Sequence, residues 1–189
     1  ETQDLSEKVK SNGIDLVVVG PENPLAEGVA DLLRENGIAV FGPSARGAEL
    51  EASKVRAKNF MSDAGIPTAE YAEVSSVEQV LSEAESFRPP YVLKFDGLAG
   101  GKGVFICKDE LELKQAAEKI FESKDVSRDT QKTALLEQFQ EGWELSYLIL
   151  TNGEDYQALP LCQDHKRLLE NDEGPNTGGM GAVGPITLE

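Results

Sequence analysis

The chain has 189 residues, 40% of them hydrophobic and 28% charged, which fits a globular protein of one or two domains with real cores. A net charge of −16 excludes general binding to nucleic acid or anionic membranes, yet it leaves room for a small anion in a locally basic cleft. A single histidine argues against a zinc site, and neither a membrane-spanning run nor a signal-peptide pattern occurs.

Cys107 and Cys162 are far apart, each within an apolar run, and read as buried free thiols of a cytoplasmic protein. Residues 1–11 read as an amphipathic helix stopped by Asn12-Gly13. Residues 14–19 are almost continuously apolar and β-branched, as in a strand buried on both faces of a parallel sheet. Gly20-Pro21-Glu22 turns the chain. Leu25, Val29, Leu32 and Leu33 then recur at helical spacing up to Asn36-Gly37, and residues 38–41 form the next strand. This alternation predicts a right-handed parallel unit, whose ligands would lie at the carboxyl ends of the strands. Gly20-Pro21-Glu22 and Gly42-Pro43-Ser44 fall there, although ordinary turns explain both.

Ala57, Phe60, Met61 and Ala64 predict the inward face of a helix that starts near Ser53-Lys54, and Gly65-Ile66-Pro67 marks a first domain boundary. Residues 68–74 read as a strand. Ser75 with Glu78 makes a capping-box pattern ahead of a helix that presents Val77, Val80, Leu81 and Ala84. Residues 91–93 and 104–107 read as two strands flanking the stretch 94–104, which carries four glycines and the lysines Lys94 and Lys102. Backbone N–H groups freed by glycine, with lysines nearby, suit phosphate oxygens. The spacing is neither a Walker A box nor a dinucleotide fingerprint, so a plain glycine-rich hairpin also remains open. A further helix presents Leu113, Ala116, Ala117 and Ile120, and residues 133–139 return as a strand. Residues 68–139 thus read as a small unit with an antiparallel sheet, able to act as a lid. Beyond it, residues 144–150 and 156–162 predict a hairpin through Asn152-Gly153. The tail concentrates cations in Gln163-Asp164-His165-Lys166-Arg167 and glycines in residues 174–181.

Val19-Gly20-Pro21-Glu22, the 94–104 loop, residues 163–167 and residues 174–181 together resemble the phosphoribosylamine–glycine ligase family of ATP-grasp enzymes. The resemblance runs along essentially the whole chain. It implies an α/β and α+β protein in three parts. Residues 1–67 would be the C-terminal part of an N-terminal parallel-sheet domain with its linker, residues 68–139 the ATP-grasp lid subdomain, and residues 140–189 the start of the C-terminal ATP-grasp subdomain. It also implies a reaction in which ATP, glycine and 5-phosphoribosylamine give glycinamide ribonucleotide, ADP and phosphate through an acyl phosphate, in purine biosynthesis. Partners would be small molecules, not nucleic acid or membrane.

By motif, the resemblance places Lys54, Lys94, Gly100, Gly101, Lys102 and Gly103 on the ATP phosphates. It puts Glu137 and Phe139 in the hinge that meets adenine, and Glu144 on the ribose. Lys166 and Arg167 would be catalytic, near the γ-phosphate and the ribosylamine phosphate. Gly20, Glu22, Asp164, Asn176, Thr177, Gly178, Gly179 and Met180 would face the substrates, with residues 176–180 as a loop. Mg²⁺ ligands are expected beyond Glu189, and the chain reads as a fragment with reduced or no activity alone. Residue chemistry taken singly permits plainer roles: Lys94 as a solvated edge charge, Glu137 and Glu144 as outward strand residues, and residues 164–167 as a surface ion-pair cluster. Other ATP-grasp carboxylate–amine ligases and a non-catalytic nucleotide-binding module are the competing functions.

Overall fold

The computed structural model describes residues 2–97, 103–122 and 132–187. Helix α1 (Thr2–Ser11) turns Val9 inward, and strand β1 (Leu16–Val18) follows it. Helices α2 (Glu22–Ala26) and α3 (Val29–Glu35) replace the single helix expected, because Gly28 between them adopts the left-handed φ of 84°. Strand β2 (Ala39–Phe41) then pairs with β1 in parallel, Val17 opposite Val40. Val9, Val29, Leu33 and Ile38 make the core on this sheet, with Val17, Val19 and Val40 packed against it. Burial on both faces is not what forms: Leu16 and Val18 are 54% and 64% exposed, because a sheet of two strands is covered on one face alone.

Helix α4 (Ala45–Ala52), capped by Ser44, went unforeseen because it buries only Ala48 and so lacks an apolar stripe. Helix α5 (Lys54–Asp63) starts where expected, with the Ser53 side chain accepting from the Arg56 N–H. Its orientation differs from the expectation. Phe60 is 52% exposed and Ala64 is exposed, whereas Lys58 is buried.

The main core belongs to a four-stranded antiparallel sheet. Strand β3 (Tyr71–Val74) leads into helix α6 (Val77–Ala84) and strand β4 (Tyr91–Phe95). Strand β5 (Val104–Cys107), helix α7 (Glu110–Phe121) and strand β6 (Ala134–Gln138) complete it, in the spatial order β3-β6-β4-β5. Alternation along β4 sends Tyr91, Leu93 and Phe95 toward α6 and α7, where they meet Val77, Val80, Leu113, Ala116, Ala117 and Ile120. Each fully buried Leu or Ile here contributes roughly 1.5–3 kcal/mol. The capping box at α6 is shifted by one residue. Ser76 caps the Gln79 N–H, and the Gln79 side chain accepts from the Ser75 N–H.

Strands β7 (Ile149–Thr151) and β8 (Tyr156–Ala158) form the hairpin, shorter than expected but extended by a bridge between Ser146 and Cys162. The tail is a second hairpin of β9 (Gln163–Leu169) and β10 (Glu173–Val183), not an open loop. Cys107 is buried, but Cys162 is only half-buried, contrary to expectation, because no core cluster among the described residues reaches the hairpins beyond β6. No helix among the described residues is long and apolar enough to cross a membrane.

Candidate functional site

The face of the four-stranded sheet away from α6 and α7 carries charge. Val92 lies opposite Glu137 and Lys94 opposite Leu135, so Lys94 and Glu137 project from this same face as diagonal neighbours on adjacent strands. Helix α5 touches β6. It brings Lys54 and Lys58 to the cluster one helical turn apart.

Asp96 fixes this arrangement. Its carboxylate accepts from Ser53 Oγ at 3.1 Å and from the Val55 N–H at 3.2 Å, while its own N–H donates to Thr133 O at 2.9 Å. A carboxylate at the N-terminus of α5 also complements the helix dipole. Lys54 Nζ donates to Gly97 O at 3.0 Å. Gly97 has a φ of 141°, and a Cβ there would lie 2.8 Å from the Phe95 ring, so the close turn needs glycine. Lys94 Nζ and Lys58 Nζ both meet Oε2 of Glu137, at 3.0 and 3.1 Å. The carboxylate is 5% exposed, so it is no outward strand residue, whereas Lys94 remains 29% exposed.

Burial pushes the Lys54 ammonium below its ordinary range; Asp96 and Glu51 pull it back, and the like charge of Lys94 adds to the depression. Lys54, Lys58 and Lys94 thus gather around the carboxylates of Asp96 and Glu137, with Glu51 also acting on Lys54, in an otherwise acidic chain. The part-exposed ammonium of Lys94 is what an anionic group such as a phosphate would meet.

Of the remaining candidates, Gly103 directly precedes β5, its carbonyl accepting from the Phe95 N–H at 2.7 Å. Gly100, Gly101 and Lys102 lie outside the described residues. Phe139 directly follows β6, half-buried, with Glu137 inside the sheet between β3 and β4. Gly20 and Glu22 are exposed at the carboxyl end of β1.

A second polar group lies on the β9–β10 hairpin. Lys166 Nζ bonds Glu144 Oε1 and lies 3.7 Å from Asp164 Oδ2. The Glu144 hydrogen bond holds this lysine above its ordinary range. Arg167 Nη1 donates to Gly174 O at 2.7 Å, and Thr177 Oγ1 donates to Lys166 O at 2.9 Å. Asn176 pairs with Arg167 and Gly181 with His165, so β10 spends five positions where β9 spends two. Thr177, Gly178, Gly179 and Met180 are the resulting bulge, a device that re-aims side chains out of a ladder. The substrate-facing run expected as a loop is thus a bulge within a strand.

Sequence reasoning missed Lys58 and Asp96. The signal for Lys58 was present: like charges at i and i+4 on one helix repel unless an anion lies between them.

A family model described as "Phosphoribosylglycinamide synthetase, ATP-grasp (A) domain" matches residues 52–189, and one described as the N domain of the same synthetase matches residues 1–51. The chain belongs to the phosphoribosylglycinamide synthetase family. A phosphoribosylamine–glycine ligase from Clostridium acetobutylicum is 42% identical over 185 residues, covering 98% of this chain and 44% of that protein. The crystal structure of a phosphoribosylamine–glycine ligase from Thermotoga maritima superposes with a TM-score of 0.80 at 38% identity, covering 97% of this chain and 45% of that one. D-alanine–D-alanine ligase from Bacillus anthracis, at 22% identity and a TM-score of 0.69, shares the fold alone. The chain therefore has the mixed α/β fold of ATP-grasp proteins, and it spans less than half the length of the synthetases it matches.

Proposed function

We propose that this chain carries the ATP-phosphate site and part of the substrate site of a phosphoribosylamine–glycine ligase. The reaction joins glycine to 5-phosphoribosylamine, with ATP converted to ADP and phosphate through a glycyl phosphate. The single observation that supports this reading best is the gathering of Lys54 and Lys94 around Glu137 and Gly97, in a chain of this family. A carboxylate is a poor electrophile, and phosphorylation gives it a leaving group, so the protein must hold the triphosphate, position the amine and exclude water. Lys54 and Lys94 hold the phosphates, and Gly100 to Gly103 close over them. Glu137 and Phe139 border the adenine, Glu144 meets the ribose, and Lys166 and Arg167 serve the transferred and ribosylamine phosphates. Gly20, Glu22, Asp164 and residues 176–180 face the substrates, with residues 1–67, 68–139 and 140–189 as the three structural parts and the cytoplasm as the compartment. Mg²⁺ would neutralise the phosphates of bound ATP. No group of three or more His, Cys, Asp or Glu residues among those described is arranged to hold it, so no step here runs through the metal.

The test follows ADP release with ATP, Mg²⁺ and both substrates by a synthetase of its relatives' full length that carries this sequence, since this chain alone is expected to turn over little or not at all. Release that requires glycine and 5-phosphoribosylamine together is expected. Release supported by D-alanine or bicarbonate in place of glycine would overturn the substrate assignment.

A further inference from the structure

Lys58 does something that no motif predicts. Its ammonium is buried, donating to Thr68 Oγ1 at 2.7 Å and Ala69 O at 3.2 Å and ion-paired with Glu137 Oε2 at 3.1 Å. The Tyr71 ring packs 5.3 Å from the same nitrogen. At 8% exposure the side chain is shut away from any ligand in solvent. Lys94 shares the very oxygen that Lys58 holds, but its side chain reaches solvent.

We propose that Lys58 is a positioning residue, neutralising Glu137 from inside so that Lys94 is free to move onto a nucleotide phosphate. This rests on the reading that Lys94 meets phosphate. The physical reason lies in the cost of an unpaired buried charge. With Lys58 present, Lys94 can leave Glu137 and the carboxylate keeps a cation. Without Lys58, Lys94 is the one ammonium among the described residues still within ion-pair distance of the carboxylate, and turning it toward phosphate leaves a buried anion with only the more distant Lys54. Lys94 then stays on Glu137 and is lost to the ligand.

Calorimetric titration with ADP tests this on four proteins: wild type, Lys58→Met, Glu137→Gln and the Lys58→Met/Glu137→Gln double variant, with circular dichroism to confirm folding. Lys58→Met is expected to weaken ADP about tenfold in the wild-type background and to change it little when added to Glu137→Gln, measured against Glu137→Gln alone, since no carboxylate remains to capture Lys94. A purely structural lysine would lower affinity alike in both backgrounds, and that result overturns the proposal, as does wild-type affinity in Lys58→Met. Should Lys58→Met alone fail to fold, Glu137→Gln and the double variant decide the matter. Equal affinities support the proposal, and a further tenfold loss overturns it. Lys94→Ala separates this inference from the reading beneath it, because unchanged ADP affinity in that variant removes the phosphate role itself.

Discussion

Asp96 ties the end of β4 to the start of α5 through two hydrogen bonds to one carboxylate, from Ser53 Oγ and the Val55 N–H. Asp96→Asn retains one good acceptor and loses the charge, so a stability loss of about 1–2 kcal/mol in urea unfolding is expected. An unchanged midpoint would show that the tie is dispensable. Two other groups set opposite trends with pH. The Lys54 ammonium lies below its ordinary range, so the unfolded chain binds its proton more tightly, and this group makes stability rise as pH climbs toward 10.5. The Cys107 thiol is pushed up from 9.0 to about 11 by burial, with Glu112 and Asp109 adding to the effect. Its contribution is therefore complete below pH 9 and is lost as pH rises to about 11. Reactivity follows the same logic, since the thiolate is the nucleophile. At pH 8 a thiol reagent is expected to modify half-buried Cys162 and to leave Cys107 intact until denaturant is added. Equal labelling rates would contradict the burial of Cys107.

Among the elements, α7 shows what a sequence makes plain. Leu113, Ala116, Ala117 and Ile120 recur on one stripe, and all four are buried. Asp109 accepts from the Glu112 N–H at 2.9 Å, and Glu112 accepts in return from the Lys108 N–H. Asp109→Ala is expected to cost about 1 kcal/mol, measured as a lower melting temperature with the fold retained. The strands 91–95, 104–107 and 134–138 were equally legible, because alternation and flanking glycines or prolines mark them locally. Helix α5 was legible in position but not in orientation. Its apolar residues Phe60 and Ala64 face outward, and the inward residue is Lys58, whose burial depends on Glu137, 79 positions away. Local periodicity carries no record of such a partner. The β9–β10 hairpin was missed for a similar reason. Glycine-rich residues 174–181 have poor strand propensity, and their ladder with residues 163–169 comes from pairing, interrupted by the bulge at 177–180.

At the scale of the whole molecule, burial is uneven. Every buried residue among those described lies at or before Glu137, while Trp143, Tyr147, Ile149, Tyr156 and Leu169 beyond it are about half exposed or more. Native-state hydrogen exchange should therefore protect the β3–β6–β4–β5 sheet and α7 most strongly, and the β7–β8 and β9–β10 hairpins least. Slow exchange in β9 and β10 equal to that of β6 would refute this ordering. The order of motifs along the chain identified the family, and the structure adds the charge arrangement on which the proposed binding rests: one carboxylate shared by a buried and a reachable lysine beside Lys54. The most direct test of that arrangement is calorimetric titration with ATP of the wild-type chain and of Lys94→Ala. Saturable binding by the wild type, weakened about tenfold or more in the variant, is the predicted result. Equal affinity in the two proteins would contradict a phosphate site at Lys94.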